Sequence, residues 1–262
     1  MSRNWKKYTA VIVAAVGICS ALLTGCGAKR NELKIGFDIE FPPYSYQLED
    51  GEYTGFDIEL AKAVCELNGW EAEFVPISWD EKKMDLEQGK IDCIWGGFTI
   101  TGREEEYTLS IPCCTTHHVI VVRDDSEIMK LDDLKGKVVG VQAAASSSEY
   151  LQNDSRGREM AENFGLLSQF SDFNAVFESL KERSLDAVIA DVGISEYYVR
   201  NSSGELRILD ETVLSECYGV AFKKGDNKLC EEINKSLQEL YKKGKVREIA
   251  EKYNLEDTIC IR

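Results

Sequence analysis

Hydrophobic and polar positions follow two different periods along the chain, and each change of period marks an element. Short apolar runs at Leu33–Asp38, Glu73–Ile77, Ile91–Trp95, Lys137–Val141 and Asp186–Ala190 predict buried strands. Helical periodicity predicts helices over Phe56–Leu67 and Trp79–Gln88, from about Ser146, over Asp172–Glu182 and up to about Arg200. Two amphipathic helices between Asp226 and Tyr253 close the chain. Strands alternating with helices predict α/β layers with largely parallel sheets. Two strand-like stretches, Val119–Val122 and Tyr218–Phe222, bracket the second α/β block. Read as crossovers, they let the chain build one lobe, enter a second and return, leaving a cleft of the kind where α/β sheets bind small molecules.

The N-terminus changes this picture only outside the folded body. Arg3, Lys6 and Lys7 precede an apolar run to Leu23 and then Leu23-Thr24-Gly25-Cys26. Basic start, apolar centre and small-residue end describe an export signal over residues 1–25, too short for a convincing membrane span. The Leu-Thr-Gly-Cys ending resembles the lipobox of bacterial lipoproteins, which implies cleavage before Cys26 and acylation of its thiol. Residues 26–32 then form a lipid-anchored tether on the outer face of the cytoplasmic membrane. Loss of three cations would take the net charge from −15 to −18. So acidic a surface argues against nucleic acid and anionic lipid as partners, and leaves the local chemistry of a site open. Seven further cysteines, Cys65, Cys93, Cys113, Cys114, Cys217, Cys230 and Cys260, include no zinc-type spacing. Adjacent His117 and His118 would point to opposite faces of a strand. No metal or other cofactor is expected. The sequence leaves disulfide pairing open, a bridge among Cys113, Cys114 and Cys217 being one option.

Five segments occur in order: Gly55–Leu60 (GFDIEL), Gly89–Glu104 (GKIDCIWGGFTITGRE), Leu134–Leu151 (LKGKVVGVQAAASSSEYL), Leu185–Asp191 (LDAVIAD) and Tyr218–Asp226 (YGVAFKKGD). Together they resemble the amino-acid-binding lipoproteins and periplasmic proteins that feed ABC importers, the family-3 solute-binding proteins. The resemblance implies the two-lobed periplasmic-binding-protein fold of type II, the Venus-flytrap arrangement with two crossover strands. Lobe 1 is expected at 33–116 and 217–262, and lobe 2 at 117–216. It further implies a monomer that closes on an L-amino acid and is recognised by permease and ATPase subunits. Two other readings stay open: a sensor that works through a separate receptor, and a cyclohexadienyl-dehydratase-like enzyme on the same fold. The second lacks an evident nucleophile–base pair, and the expectation is a protein that is not an enzyme.

A free amino acid is a zwitterion, and removing it from water requires a partner for each charge. Arg103 suits the carboxylate, because its planar fork is permanently protonated and gives two parallel bonds. Gly97 lets backbone approach a ligand closely, and Thr99 adds a hydroxyl. In the family the turn holding Ser146 and Ser147 supplies a hydroxyl and amides from the opposite lobe. Ser146 and Glu149 also fit a capping box, and Ala143–Ala145, lacking glycine, are expected to avoid positive φ. Asp191 ends an apolar strand, where its carboxylate suits either the α-ammonium or a helix cap. Phe41 and Trp79 match aromatics that sandwich the ligand side chain, and Asp38, beside Glu40, matches a ligand-contacting acid. These carboxylates and the indole favour a polar or basic side chain. Gly96 is expected to leave room in the pocket, and His118 to reach the cleft. One spacing departs from the family: Gly102 alone separates Thr101 from Arg103, where two residues are usual.

Overall fold

The structure is a computed structural model and describes residues 30–261. The expected signal at 1–25 and the acylated Cys26 lie outside the described residues. In chain order the main elements are β1 (Glu32–Phe37), β2 (Glu40–Phe41), β3 (Ser45–Gln47), β4 (Tyr53–Thr54), α1 (Phe56–Asn68), β5 (Glu71–Pro76), α2 (Lys82–Glu87), β6 (Cys93–Thr99), β7 (Tyr107–Leu109) and β8 (Cys114–Arg123). They continue with β9 (Val138–Gln142), α3 (Ser146–Asn153), α4 (Ser155–Ala161), β10 (Leu166–Phe170), α5 (Phe173–Lys181), β11 (Ala187–Asp191), α6 (Val192–Arg200), β12 (Leu206–Lys223), α7 (Asn227–Lys242) and α8 (Lys245–Lys252).

One nine-stranded sheet runs in the order β10-β9-β11-β8-β12-β6-β1-β5, with β7 beside β12. Its two ends are parallel: β5, β1 and β6 at one, β10, β9 and β11 at the other. Antiparallel β8 and β12 join them. Both joining strands far exceed the apolar runs expected from the sequence, which lie toward their C-terminal ends. Cys114-Thr-Thr-His-His and Ser215-Glu-Cys carry too few apolar residues to read as strand, yet each supplies the other's ladder, from Leu206 opposite Arg123 to Tyr218 opposite Cys114. Conversely, the helix expected over Trp79–Gln88 is confined to Lys82–Glu87. Ser78 donates to Asp80 in the preceding turn, and Trp79 stays outside the helix.

Strand burial explains the near-continuous apolar runs, since both faces of the sheet are covered. Cys93 and Trp95 of β6 share one core with Leu33 and Ile35, Val188 and Ala190, and Val220 and Phe222. Opposite faces of the same strands feed two smaller cores. Ile94 and Phe98 pack with Trp79 and Leu86, whereas Ile120, Val122, Val139 and Ile189 pack together. No helix among the described residues is long and apolar enough to cross a membrane. No disulfide joins Cys113, Cys114 and Cys217.

Candidate functional site

The C-terminal end of β6 opens onto a narrow cavity. Gly97 shapes this end: its φ of +60° is left-handed, and any Cβ there would overlap the Phe41 ring. Its N–H donates to Asp57 Oδ2 at 2.6 Å, anchoring the turn on the first turn of α1. Burial pushes the Asp57 carboxyl up to about 7. Gly96 does not add room, because a Cβ there would meet Ser45 Oγ at 2.7 Å and Phe37 Cβ at 3.0 Å.

Arg103, only 6% exposed, reaches the cavity from the loop after β6. Its guanidinium lies 4.8 Å from the Phe98 ring centroid, and Nη2 donates to Glu149 Oε2 of α3 at 2.7 Å. The capping box expected around Ser146 therefore does not form. Ala145 is the N-cap and makes no side-chain cap bond. Glu149 finds a guanidinium instead, and Ser146 Oγ donates to Glu216 Oε1 at 2.9 Å. Charged partners outcompete backbone ones here. Nor does the alanine run avoid positive φ, because Ala144 sits at +54°.

The Ala144 carbonyl accepts from Lys82 Nζ at 2.9 Å, and the same ammonium donates to the Trp79 carbonyl at 2.9 Å and lies 4.9 Å from its ring centroid. Lys82 is 4% exposed. Burial, with Arg103 nearby, pushes its pKa down to about 7. A lysine depressed from 10.5 to about 7 binds more protons unfolded across that window, so its contribution to stability rises with pH between those values. Lys82→Met is expected to flatten that rise and to be the more stable protein at pH 6–7 by about 1 kcal/mol or more. Paired melting curves from pH 6 to 10 check this, and parallel profiles would refute it.

Asp191 is wholly buried at the end of β11. Oδ1 accepts the N–H groups of Gly193 at 2.7 Å and Ile194 at 3.4 Å, capping α6. Oδ2 accepts the hydroxyls of Tyr218, at 3.0 Å, and Thr116. Burial raises its pKa, opposed by His118 and by these hydroxyl bonds. Across the sheet, Glu216 Oε1 accepts from Thr99 Oγ1 at 3.0 Å, His118 Nε2 at 2.9 Å and Ser146 Oγ at 2.9 Å. Burial works against both charges of the His118–Glu216 pair, but mutual attraction prevails: the His118 pKa is raised and that of Glu216 lowered. Asp38 is held by the Glu40 N–H and by Gln142 Nε2, each at 2.9 Å, and burial raises its pKa. Phe41 stacks on Tyr44, and its ring centroid lies 5.6 Å from that of Phe173.

Comparison with known proteins decides what kind of molecule carries this cavity. The profile of the bacterial extracellular solute-binding proteins, family 3, matches residues 33–256. The chain belongs to that family. It is similar to the L-cystine-binding protein TcyJ of Escherichia coli strain K12, 28% identical over 228 residues, which span 86% of this chain and 83% of that one. The arginine-binding extracellular protein ArtP of Bacillus subtilis strain 168 is 28% identical over 261 residues, 95% of this chain and 98% of that one. Among solved structures, an ABC uptake transporter substrate-binding protein from Streptococcus pneumoniae with bound histidine superposes with a TM-score of 0.82. It is 31% identical, over 87% of this chain and 94% of that one. The type II periplasmic-binding-protein fold and the solute-binding role follow from the family, whose members work outside the cytoplasm.

In this family-3 solute-binding protein, Asp38, Phe41, Trp79, Gly97, Thr99, Arg103, Ser146 and Asp191 all line the one cavity, with Gly96 and His118. Ser147 does not; its side chain is buried on the inner side of α3. His117 faces a separate outer pocket, as alternation along β8 requires. Gln142, Phe173 and Tyr218 line the cavity without having been singled out from sequence. Gln142 had a usable signal: like Asp191, it is a polar residue at the C-terminal end of an apolar parallel strand. Among the described residues no group of three or more His, Cys, Asp or Glu could hold a metal ion.

Proposed function

We propose that this protein is the binding component of an ABC importer and closes two lobes on an L-amino acid. The lobes in this reading are 33–116 with 217–262, and 117–216, hinged on β8 and β12. Arg103 pairs with the α-carboxylate and Asp191 with the α-ammonium. Thr99, Ser146 and the amides near Gly97 and Ser147 complete the head-group contacts. Phe41 and Trp79 flank the side chain. Asp38 beside Gln142 favours a basic or amide group at its end. Contacts made from both lobes favour the closed form, which the permease and ATPase subunits recognise. Cys26 is the lipid anchor, the protein acts as a monomer, and it binds its solute without transforming it.

One observation carries the reading: a buried guanidinium and a buried carboxylate, from opposite ends of the sheet, line the same cavity. The relatives named for cystine, arginine and histidine agree with an amino-acid ligand and differ in side chain. A thermal-shift screen of the common L-amino acids is the test. At a hundred times Kd a ligand adds about 2.7 kcal/mol, or a melting shift of roughly 5–10 °C. We expect such a shift for one or a few polar or basic amino acids. No shift with any of them overturns the proposal.

A further inference from the structure

Glu216 lies directly behind the lining of the cavity. Its Oε1 is held by Thr99, Ser146 and His118, all of which line the inner cavity. Its side chain is only 2% exposed and shares a strand face with Thr116 and His118. The three donors come from β6, α3 and β8, so this one oxygen ties both ends of the sheet to the joining strands.

A hydroxyl carries one proton. Thr99 and Ser146 both spend theirs on Glu216, and neither can give it to a second carboxylate at the same time. Two carboxylates at hydrogen-bonding range of the same donors also repel. We propose that Glu216 is a built-in rival for the solute's carboxylate. It holds the two hydroxyls, and an incoming carboxylate has to win them from it. The inference rests on the reading of the cavity as an amino-acid site, and it makes Glu216 a determinant of affinity that opposes binding.

The test is calorimetry of Glu216→Gln and Glu216→Ala with the amino acid that gives the largest thermal shift. If Glu216 keeps nine sites in ten occupied, its removal tightens apparent binding about tenfold. We expect that gain in Glu216→Ala and a smaller one in Glu216→Gln, which keeps the shape and guards against a folding defect in the first variant. Equal or weaker binding in the folded variants overturns the proposal. Arg103→Ala run alongside separates the two claims. If it binds like wild type, the carboxylate reading of the cavity fails. If it binds weakly and neither Glu216 variant binds more tightly, only the rival fails.

Discussion

Arg103→Ala is expected to weaken amino-acid binding by about 2–5 kcal/mol, the penalty for leaving one member of a desolvated charge pair alone. Its expected effect on folding is smaller. Glu149, the protein partner of Arg103, has a side chain 45% exposed, so water can take over from the guanidinium. Loss of the contact between the buried guanidinium and the Phe98 ring adds about 2 kcal/mol. Affinity and stability should therefore separate, with a collapse in calorimetric Kd and a modest fall in melting temperature. Arg103→Lys restores the charge without the planar fork and should recover part of the affinity. An Arg103→Ala protein that binds as tightly as wild type would remove the guanidinium from the site.

Asp191 is expected to behave oppositely, with loss of fold and loss of binding arriving together in Asp191→Ala. The side chain caps α6 and accepts two buried hydroxyls. Removing an N-cap costs about 1 kcal/mol. Leaving a buried donor unsatisfied costs about 1–3 kcal/mol, although a hydroxyl that can turn elsewhere recovers some of this. About 2–5 kcal/mol of lost stability is expected, and denaturant titration reads it directly. Asp191→Asn is the sharper probe of function. Its amide oxygen can still cap α6 while its charge is gone, so most of the stability should return and the affinity should not. Full affinity in Asp191→Asn would show that the ammonium is held elsewhere.

Strands such as Ala187–Asp191 were legible in the sequence because an apolar run ending in one polar residue has few other uses. The same holds for α7, whose apolar stripe Leu229, Ile233, Leu237 and Leu240 is buried along one face. Strands held by partners rather than by composition were not legible. The outer parts of β8 and β12 are polar and become strand through each other's ladder. The site divides in the same way. Arg103, Asp191 and the glycine turn carry local signatures, a lone cation after a buried strand or an acid at a strand's end. Glu216 and Lys82 have none. Glu216 lies in a polar stretch, Ser215-Glu-Cys, and Lys82 in a run of charges, Asp80-Glu-Lys-Lys. Each acquires a role only from residues far away in sequence, His118 and Ser146 for one, the Ala144 carbonyl for the other. The cap at Ser146 failed for the same reason: local geometry offered a capping box, and distant charges offered more.

The thiols described above have a practical consequence. Cys65, Cys113 and Cys114 are buried, and burial raises their pKa, to about 11 at Cys65. Alkylating reagents attack the thiolate, so in neutral solution these groups are shielded twice, by access and by protonation. Cys114 opens the strand β8 on which the sheet turns from one end to the other and Cys113 immediately precedes it, while Cys65 rides on α1 beneath β6. Mass-spectrometric counting of alkylated sites over time would thus record how often each neighbourhood breathes, with no label added and no residue changed.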